Sequence, residues 1–275
     1  MKLDGTVAVV TGAGSGLGAA LAVQLAQAGA VPVVIDLRSA RVEQTVGALK
    51  SRGVEAFGWT CDVGRRDQVK ETFSEIGQRL QRINLLVNCA GRSMLRPFLD
   101  QSDEDLDWIA GPNLWGVVHC TRAAVRWMPA GSRIVNVSSV SGRIPTPGEA
   151  FYSALKAAVA SLSESLESEL RGRSIGVTLV LPGEMSTALF AEHPSWELRP
   201  GFQRRMEVPP ERVAAAIVRA VRRERFDVVE PCYLRPPVVL NRLFPNFFRH
   251  QLYRSYYRPL EPRISVQGQH DGPSR

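Results

Sequence analysis

Tyr152 and Lys156 stand four residues apart in Tyr152-Ser-Ala-Leu-Lys156. On a helix that spacing puts both side chains on one face, one turn apart. An ammonium held beside a phenol stabilises the phenolate. A tyrosine whose ordinary pKa is about 10 then becomes an acid or base usable near neutral pH. Alone, the pair reads equally as a core-edge tyrosine and a solvated lysine. Its neighbours give it weight: Ser138-Ser139 closes the apolar run Arg133-Ile-Val-Asn-Val137, and a glycine-rich turn opens the chain.

That turn, Thr11-Gly-Ala-Gly-Ser-Gly-Leu-Gly18, lies between the β-branched run at 7–10 and a helical pattern over 19–28 that stops at Gly29. Glycines let a backbone approach a pyrophosphate, and a helix N-terminus offers free N–H groups and a positive dipole end. A second strand, 31–35, ends at Asp36, where a carboxylate can accept from an adenosine ribose; the alternative is a helix cap. In this order and at these spacings the stretch predicts dinucleotide binding. Asp36 would repel a 2′-phosphate, and Ser15 stands where a compensating base would be needed. These features favour NAD, while Arg38, able to reach back, leaves NADP open.

The elements that must position these residues follow in alternation. Residues 41–50 read as a helix and 54–59 as a strand ending at Cys61-Asp62-Val63. Asp62 there suits an adenine amino group or caps the helix predicted over 65–80. Residues 83–87 form a buried strand leading into Asn88-Cys-Ala-Gly91, and 102–127 a helical pattern broken at Gly111-Pro112-Asn113, since proline interrupts the hydrogen-bond ladder. Strands at 133–137 and 176–180, a helix through 154–170, an amphipathic helix over 211–223 and an edge strand over 226–230 complete the pattern. Such alternation predicts an α/β fold with right-handed crossovers and a parallel sheet covered by helices on both faces. Gly12, Asp36, Asp62, Asn88, Ser139 and Pro182 all fall at strand carboxyl ends, where ligands gather on such sheets.

Composition allows this. At 275 residues and 44% apolar content the chain can bury one full core. No apolar run reaches the roughly 20 residues of a spanning helix, and Met1-Lys-Leu-Asp-Gly leads straight into a strand, so no signal or transit segment is expected. Cys61, Cys89, Cys120 and Cys232 lack framework or ligand-like spacing; they read as reduced thiols of a cytoplasmic protein, with no metal. The +7 net charge is uneven, with 15 arginines against 7 acidic residues from Arg199 onward.

The chain resembles the short-chain dehydrogenase/reductase family through the glycine turn at 11–18, Asp62-Val63, Asn88-Cys-Ala-Gly91, Asn113, Ser139, Tyr152-Ser-Ala-Leu-Lys156, and Pro182-Gly183 with Thr187. The resemblance covers about residues 4–230 and implies a Rossmann-type doubly wound parallel sheet of about seven strands in three α/β/α layers, a catalytic set of Asn113, Ser139, Tyr152 and Lys156, and a homodimer or homotetramer. By the same resemblance Tyr152 exchanges a proton with an alcohol or ketone while hydride moves to or from the nicotinamide. Ser139 serves the oxyanion, Lys156 the ribose and the tyrosine, Asn113 a water, and Thr187 the carboxamide. Cofactor contacts are expected at Gly12, Ser15, Gly16, Leu17, Gly18, Asp36, Arg38, Asp62, Val63, Asn88, Ala90, Gly91, Tyr152, Lys156, Pro182, Gly183, Met185 and Thr187. Two departures stand out: Cys89 replaces an asparagine, and Gly111-Pro112 precedes Asn113.

Residues 1–231 are therefore expected to form the catalytic domain, with a substrate lid over about 187–209 that holds a surface His193. A basic, aromatic extension follows over 232–264, expected to pack on the lid or a subunit interface, and then a disordered tail over 265–275. The extension suits apolar packing first and peripheral membrane contact second; nucleic acid fits poorly without a recognition motif. The function expected is oxidoreduction of a lipophilic secondary alcohol or ketone of steroid, retinoid or acyl type. The alternative is a non-catalytic NAD-binding sensor.

Overall fold

Val7–Thr11 is buried along its whole length, as a β-branched run must be in a sheet covered on both faces. The computed structural model describes residues 1–185 and 208–258. Within them, β1 (Val7–Thr11), β2 (Val31–Asp36), β3 (Phe57–Thr60), β4 (Leu85–Asn88), β5 (Arg133–Val137), β6 (Gly176–Pro182) and β7 (Asp227–Glu230) make one sheet. All its pairings are parallel and its order is β3-β2-β1-β4-β5-β6-β7. The chain winds outward one way from β1 and then the other way from β4. The crevice at that reversal is where a doubly wound sheet takes its ligand.

Helices α1 (Gly16–Gln27), α2 (Ser39–Lys50), α3 (Arg66–Leu80), α4 (Asp103–Ala110), α5 (Gly116–Ala124), α6 (Ala150–Glu169) and α7 (Pro210–Arg222) cover the sheet. Side chains alternate along β1. Ala8 and Val10 pack with Leu21 and Leu25 of α1 and with Val213, Ile217 and Val221 of α7. Val7 and Val9 face the opposite core, with Val69, Phe73 and Ile76 of α3 and Cys120 of α5. Each fully buried Leu, Ile or Phe contributes roughly 1.5–3 kcal/mol, so the i, i+4 stripes of α3 and α7 anchor the two outer layers.

Two details depart from the sequence pattern, and a third adds to it. The strand expected over 54–59 is β3, Phe57–Thr60, and its first partner is Val33. One step earlier the partner would be Pro32, which lacks an N–H to donate. The break at Gly111-Pro112-Asn113 is one widened π turn, Gly111–Trp115, joining α4 directly to α5. Beyond β7 the extension is folded: α8 (Arg235–Leu243) and α9 (Pro245–Leu252) follow in sequence. Most of the expected lid and the tail expected over 265–275 lie outside the described residues.

Candidate active site

The strand carboxyl ends enclose a cavity of about 360 Å³. At the end formed by the glycine turn, Gly12 and Gly16 take φ of +66° and +51°, values side chains rarely adopt. A Cβ on Gly12 would lie 2.8 Å from Ala90 Cα, and one on Gly14 2.8 Å from the Asp36 carboxyl. This is a cradle that only backbone can line. The α1 N-cap, Ser15, makes no side-chain cap, so the first-turn N–H groups of α1 remain donors for an anion. Asp36 Oδ2 accepts from Gly14 N at 3.0 Å and Oδ1 from Arg38 N at 3.1 Å, which fixes the carboxylate at the strand end with lone pairs to spare. Asp62 Oδ1 accepts from Gly64 N at 2.9 Å. Gly14, the helix N-terminus and Asp36 together fit a dinucleotide.

Asn88, expected to contact the cofactor, is buried beneath the cavity wall and is not among the residues that line it. Its Nδ2 donates to Asn136 Oδ1 at 2.8 Å and to Thr121 Oγ1 at 3.1 Å, tying β4 to β5 and α5. The wall itself is held by a residue the sequence reading passed over. Thr11 Oγ1 accepts from Cys89 N at 3.0 Å and Ala90 N at 3.1 Å, linking the end of β1 to the Cys89–Gly91 loop. A threonine closing a strand directly before a glycine turn was the available signal.

At the other end of the cavity, Ser138 Oγ donates to Lys156 O at 2.7 Å and fastens α6 onto β5. Ser139 Oγ accepts from Ser141 N at 3.1 Å and also hydrogen-bonds Tyr152. Lys156 Nζ donates to Val137 O at 3.1 Å and sits 5.7 Å from the centre of the Tyr152 ring. Asn113 is fully buried; its Nδ2 donates to Arg92 O at 2.7 Å and Ile109 O at 2.8 Å. Its Oδ1 has no partner, and a Cβ on Gly91 would fall 2.8 Å from that oxygen and 3.6 Å from Lys156 Nζ. An unpartnered buried acceptor facing the lysine is a ready seat for a bridging water.

Burial raises the Tyr152 pKa, the Glu149 carboxylate raises it further, and the Ser139 hydrogen bond opposes both. Burial pushes Lys156 down to about 8, against a smaller opposing effect of Cys89. Lys156 was expected to depress the tyrosine; in this state its ammonium is held by Val137 O, and burial is the largest effect on the phenol.

A family model described as short chain dehydrogenase matches residues 6–198. The chain belongs to this family. It is an NAD(P)-dependent oxidoreductase acting on CH–OH or keto groups. Among relatives, the 3-oxoacyl-[acyl-carrier-protein] reductase FabG of Thermotoga maritima is 34% identical over 196 residues, spanning 70% of this chain and 80% of that one. A short chain dehydrogenase/reductase from Burkholderia phymatum in complex with NAD superposes with a TM-score of 0.81 at 27% identity, over 100% of this chain and 99% of that one. A short chain dehydrogenase from Burkholderia cenocepacia in complex with NADP gives 0.73 at 27% identity, over 83% and 97%.

In this dehydrogenase the cavity is lined by Gly12, Ser15, Gly16, Leu17, Gly18, Asp36, Arg38, Asp62, Val63, Ala90, Gly91, Asn113, Ser139, Tyr152, Lys156, Pro182, Gly183 and Met185. Thr187 lies outside the described residues. Where the sequence has Cys89 for an asparagine, burial pushes the thiol up to about 12, keeping it a neutral wall residue. Two lining groups, Arg92 and Glu149, escaped sequence reasoning. Arg92 stacks over Trp108 at 4.7 Å. Glu149 is buried and accepts from Ser93 Oγ at 3.1 Å. Tyr233, Leu234 and Leu252 come from the extension, which also reaches Gly183, whose added Cβ would lie 2.7 Å from Leu234 Cδ1.

Proposed function

We propose that this dehydrogenase transfers hydride between NAD and a lipophilic secondary alcohol or ketone, with Tyr152 as the acid/base. The observation that carries the reading is the gathering of Ser139, Tyr152 and Lys156 at one end of a cavity whose other end is a dinucleotide cradle. The nicotinamide supplies the hydride acceptor or donor. Tyr152 gives its proton to the carbonyl oxygen, or takes the proton of the alcohol. Ser139 donates to the oxygen as charge develops. Lys156 would hold the nicotinamide ribose and, once drawn from Val137 O, stabilise the phenolate; Asn113 would seat the water that returns the proton. Thr187 would hold the carboxamide.

NAD is preferred over NADP because a 2′-phosphate would meet the buried Asp36 carboxylate, with Arg38 and Arg41 nearby as the features that would admit NADP. Leu234, Leu252, Ile144 and Met185 on the wall support an apolar substrate, and the 3-oxoacyl substrate in the name of the Thermotoga maritima relative points to the acyl class among lipophilic ketones. Residues 1–231 would form the catalytic domain and 232–264 a wall shared with the lid or a second subunit of a homodimer or homotetramer. No helix of the described residues is long and apolar enough to cross a membrane. A cytoplasmic enzyme touching lipid through its basic extension is the arrangement these features favour. The test is turnover of an alcohol and ketone panel under NAD and NADP, comparing wild type with Tyr152→Phe and Asp36→Ala. Binding of NAD without turnover on any member would replace this reading with a sensor.

A further inference from the structure

Glu149 is a buried carboxylate that the hydride mechanism does not use. It stands at the N-cap of α6, one helical turn before Tyr152, and both side chains line the same cavity. Its position is built from two sides. Ser93, itself 1% exposed, donates its hydroxyl to Glu149 Oε1 at 3.1 Å. Arg96 N donates to Gly148 O at 2.9 Å, and Glu149 N to Thr146 O at 3.1 Å, so the backbone carrying the carboxylate is stitched to the segment after β4. Gly148, at φ +83°, makes the turn that brings it there.

We propose that Glu149 is a positioning residue for the proton: its carboxylate, braced by Ser93 beside Tyr152, keeps the phenol in its proton-bearing form and so readies the site to protonate a carbonyl. A negative charge close to a phenol in a dry cavity disfavours phenolate, because both charges would share one low-dielectric space. The effect of Glu149 on Tyr152 runs in that direction. Other charged or titratable groups face this end of the cavity. Lys156 on α6 is bonded to Val137 O; Cys89 and Arg92 sit on the loop after β4, Glu184 after β6, and Tyr233 on the extension. Asp36, Arg38, Arg41 and Asp62 line the adenosine end. Of these, Glu149 is the group whose charge raises the Tyr152 pKa. The consequence is kinetic. Alcohol oxidation needs the phenolate, so it reaches its plateau at a higher pH than it would without Glu149, while carbonyl reduction keeps its proton donor at neutral pH.

The inference rests on Tyr152 being the acid/base, and its test is readable without turnover. Phenolate formation is followed by ultraviolet difference spectroscopy on the full chain with NAD present, with Tyr152→Phe subtracted to isolate the one ring. In Glu149→Gln, which keeps the length and an acceptor for Ser93, the Tyr152 phenolate is expected at a pH lower by about one unit or more. Should that variant fail to fold, Glu149→Met, uncharged and of similar length, carries the same expectation. A phenolate that forms at the wild-type pH in the folded variant overturns the proposal, and a changed KM alone would instead make Glu149 a substrate contact. Failure of the hydride reading would show separately, as Tyr152→Phe retaining full turnover.

Discussion

Lys156 carries a cost that its chemistry explains. An unfolded lysine binds its proton with a pKa near 10.5, whereas here burial lowers it to about 8. Between those values the unfolded chain holds more protons, so folding stability should rise as pH climbs above about 8. Tyr152 is shifted the opposite way and acts only above about pH 10, so the interval below that isolates the lysine. Lys156→Met should remove this climb and stabilise the fold at pH 7 by on the order of 3 kcal/mol, measured by urea denaturation, while abolishing turnover. A less stable variant would show that the Val137 hydrogen bond outweighs desolvation. Tyr152→Phe should leave stability nearly unchanged and lower kcat by about 10²–10⁴-fold, read in the substrate panel. Both residues were legible in the sequence because a helix turns spacing into adjacency. Glu149 was not, because its burial depends on the chain after β4 being stitched to the turn before α6, and no periodicity reports that.

At the scale of elements, the site depends on how closely α6 approaches the turn after Ser139. A Cβ on Gly142 would lie 2.7 Å from Lys156 C and 2.8 Å from Lys156 O, which backbone cannot relieve without moving. Gly142→Ala should therefore separate Ser139 from Lys156, cost about 1–3 kcal/mol as overpacking does, and depress kcat more than cofactor affinity; chemical denaturation and single-turnover kinetics read the two effects. The α/β alternation was legible because buried parallel strands are short β-branched runs and their covering helices carry apolar stripes. The break at Pro112 was legible only as a break. A missing N–H says that one bond is lost, but that the helix continues through a π turn with Asn113 bonding Ile109 O depends on tertiary packing. The shortening of β3 has the same character: its limit is set by Pro32 in the partner strand.

For the whole molecule, the extension is the part that sets the surface charge apart. From Pro231 to Arg258 it holds five arginines and no acidic residue, and Val239, Leu243, Phe244 and Phe247 are exposed beside them. The full chain should co-sediment with anionic vesicles and release at high salt, since such attraction is screened within about 10 Å at 0.1 M ionic strength; neutral vesicles should leave it in solution. Equal binding to both would assign the attraction to apolar contact alone. A chain ending at Pro231 should lose this binding and raise KM for long-chain substrates in the panel, and unchanged kinetics would remove the extension from the substrate wall.

Gly183 belongs to the cavity wall, yet it also presses against Leu234 at the start of the extension and donates its N–H to Glu230 O at 2.8 Å. One small residue thus belongs to both the nucleotide cleft and the extension. Linkage then makes the two reciprocal: whatever docks on α8 and α9 and shifts Leu234 must alter dinucleotide affinity by the same factor by which the dinucleotide alters docking. Titrating NAD in the presence and absence of anionic vesicles measures that factor directly. A value different from one would make the redox state of the nucleotide pool a signal felt at the protein's outer surface.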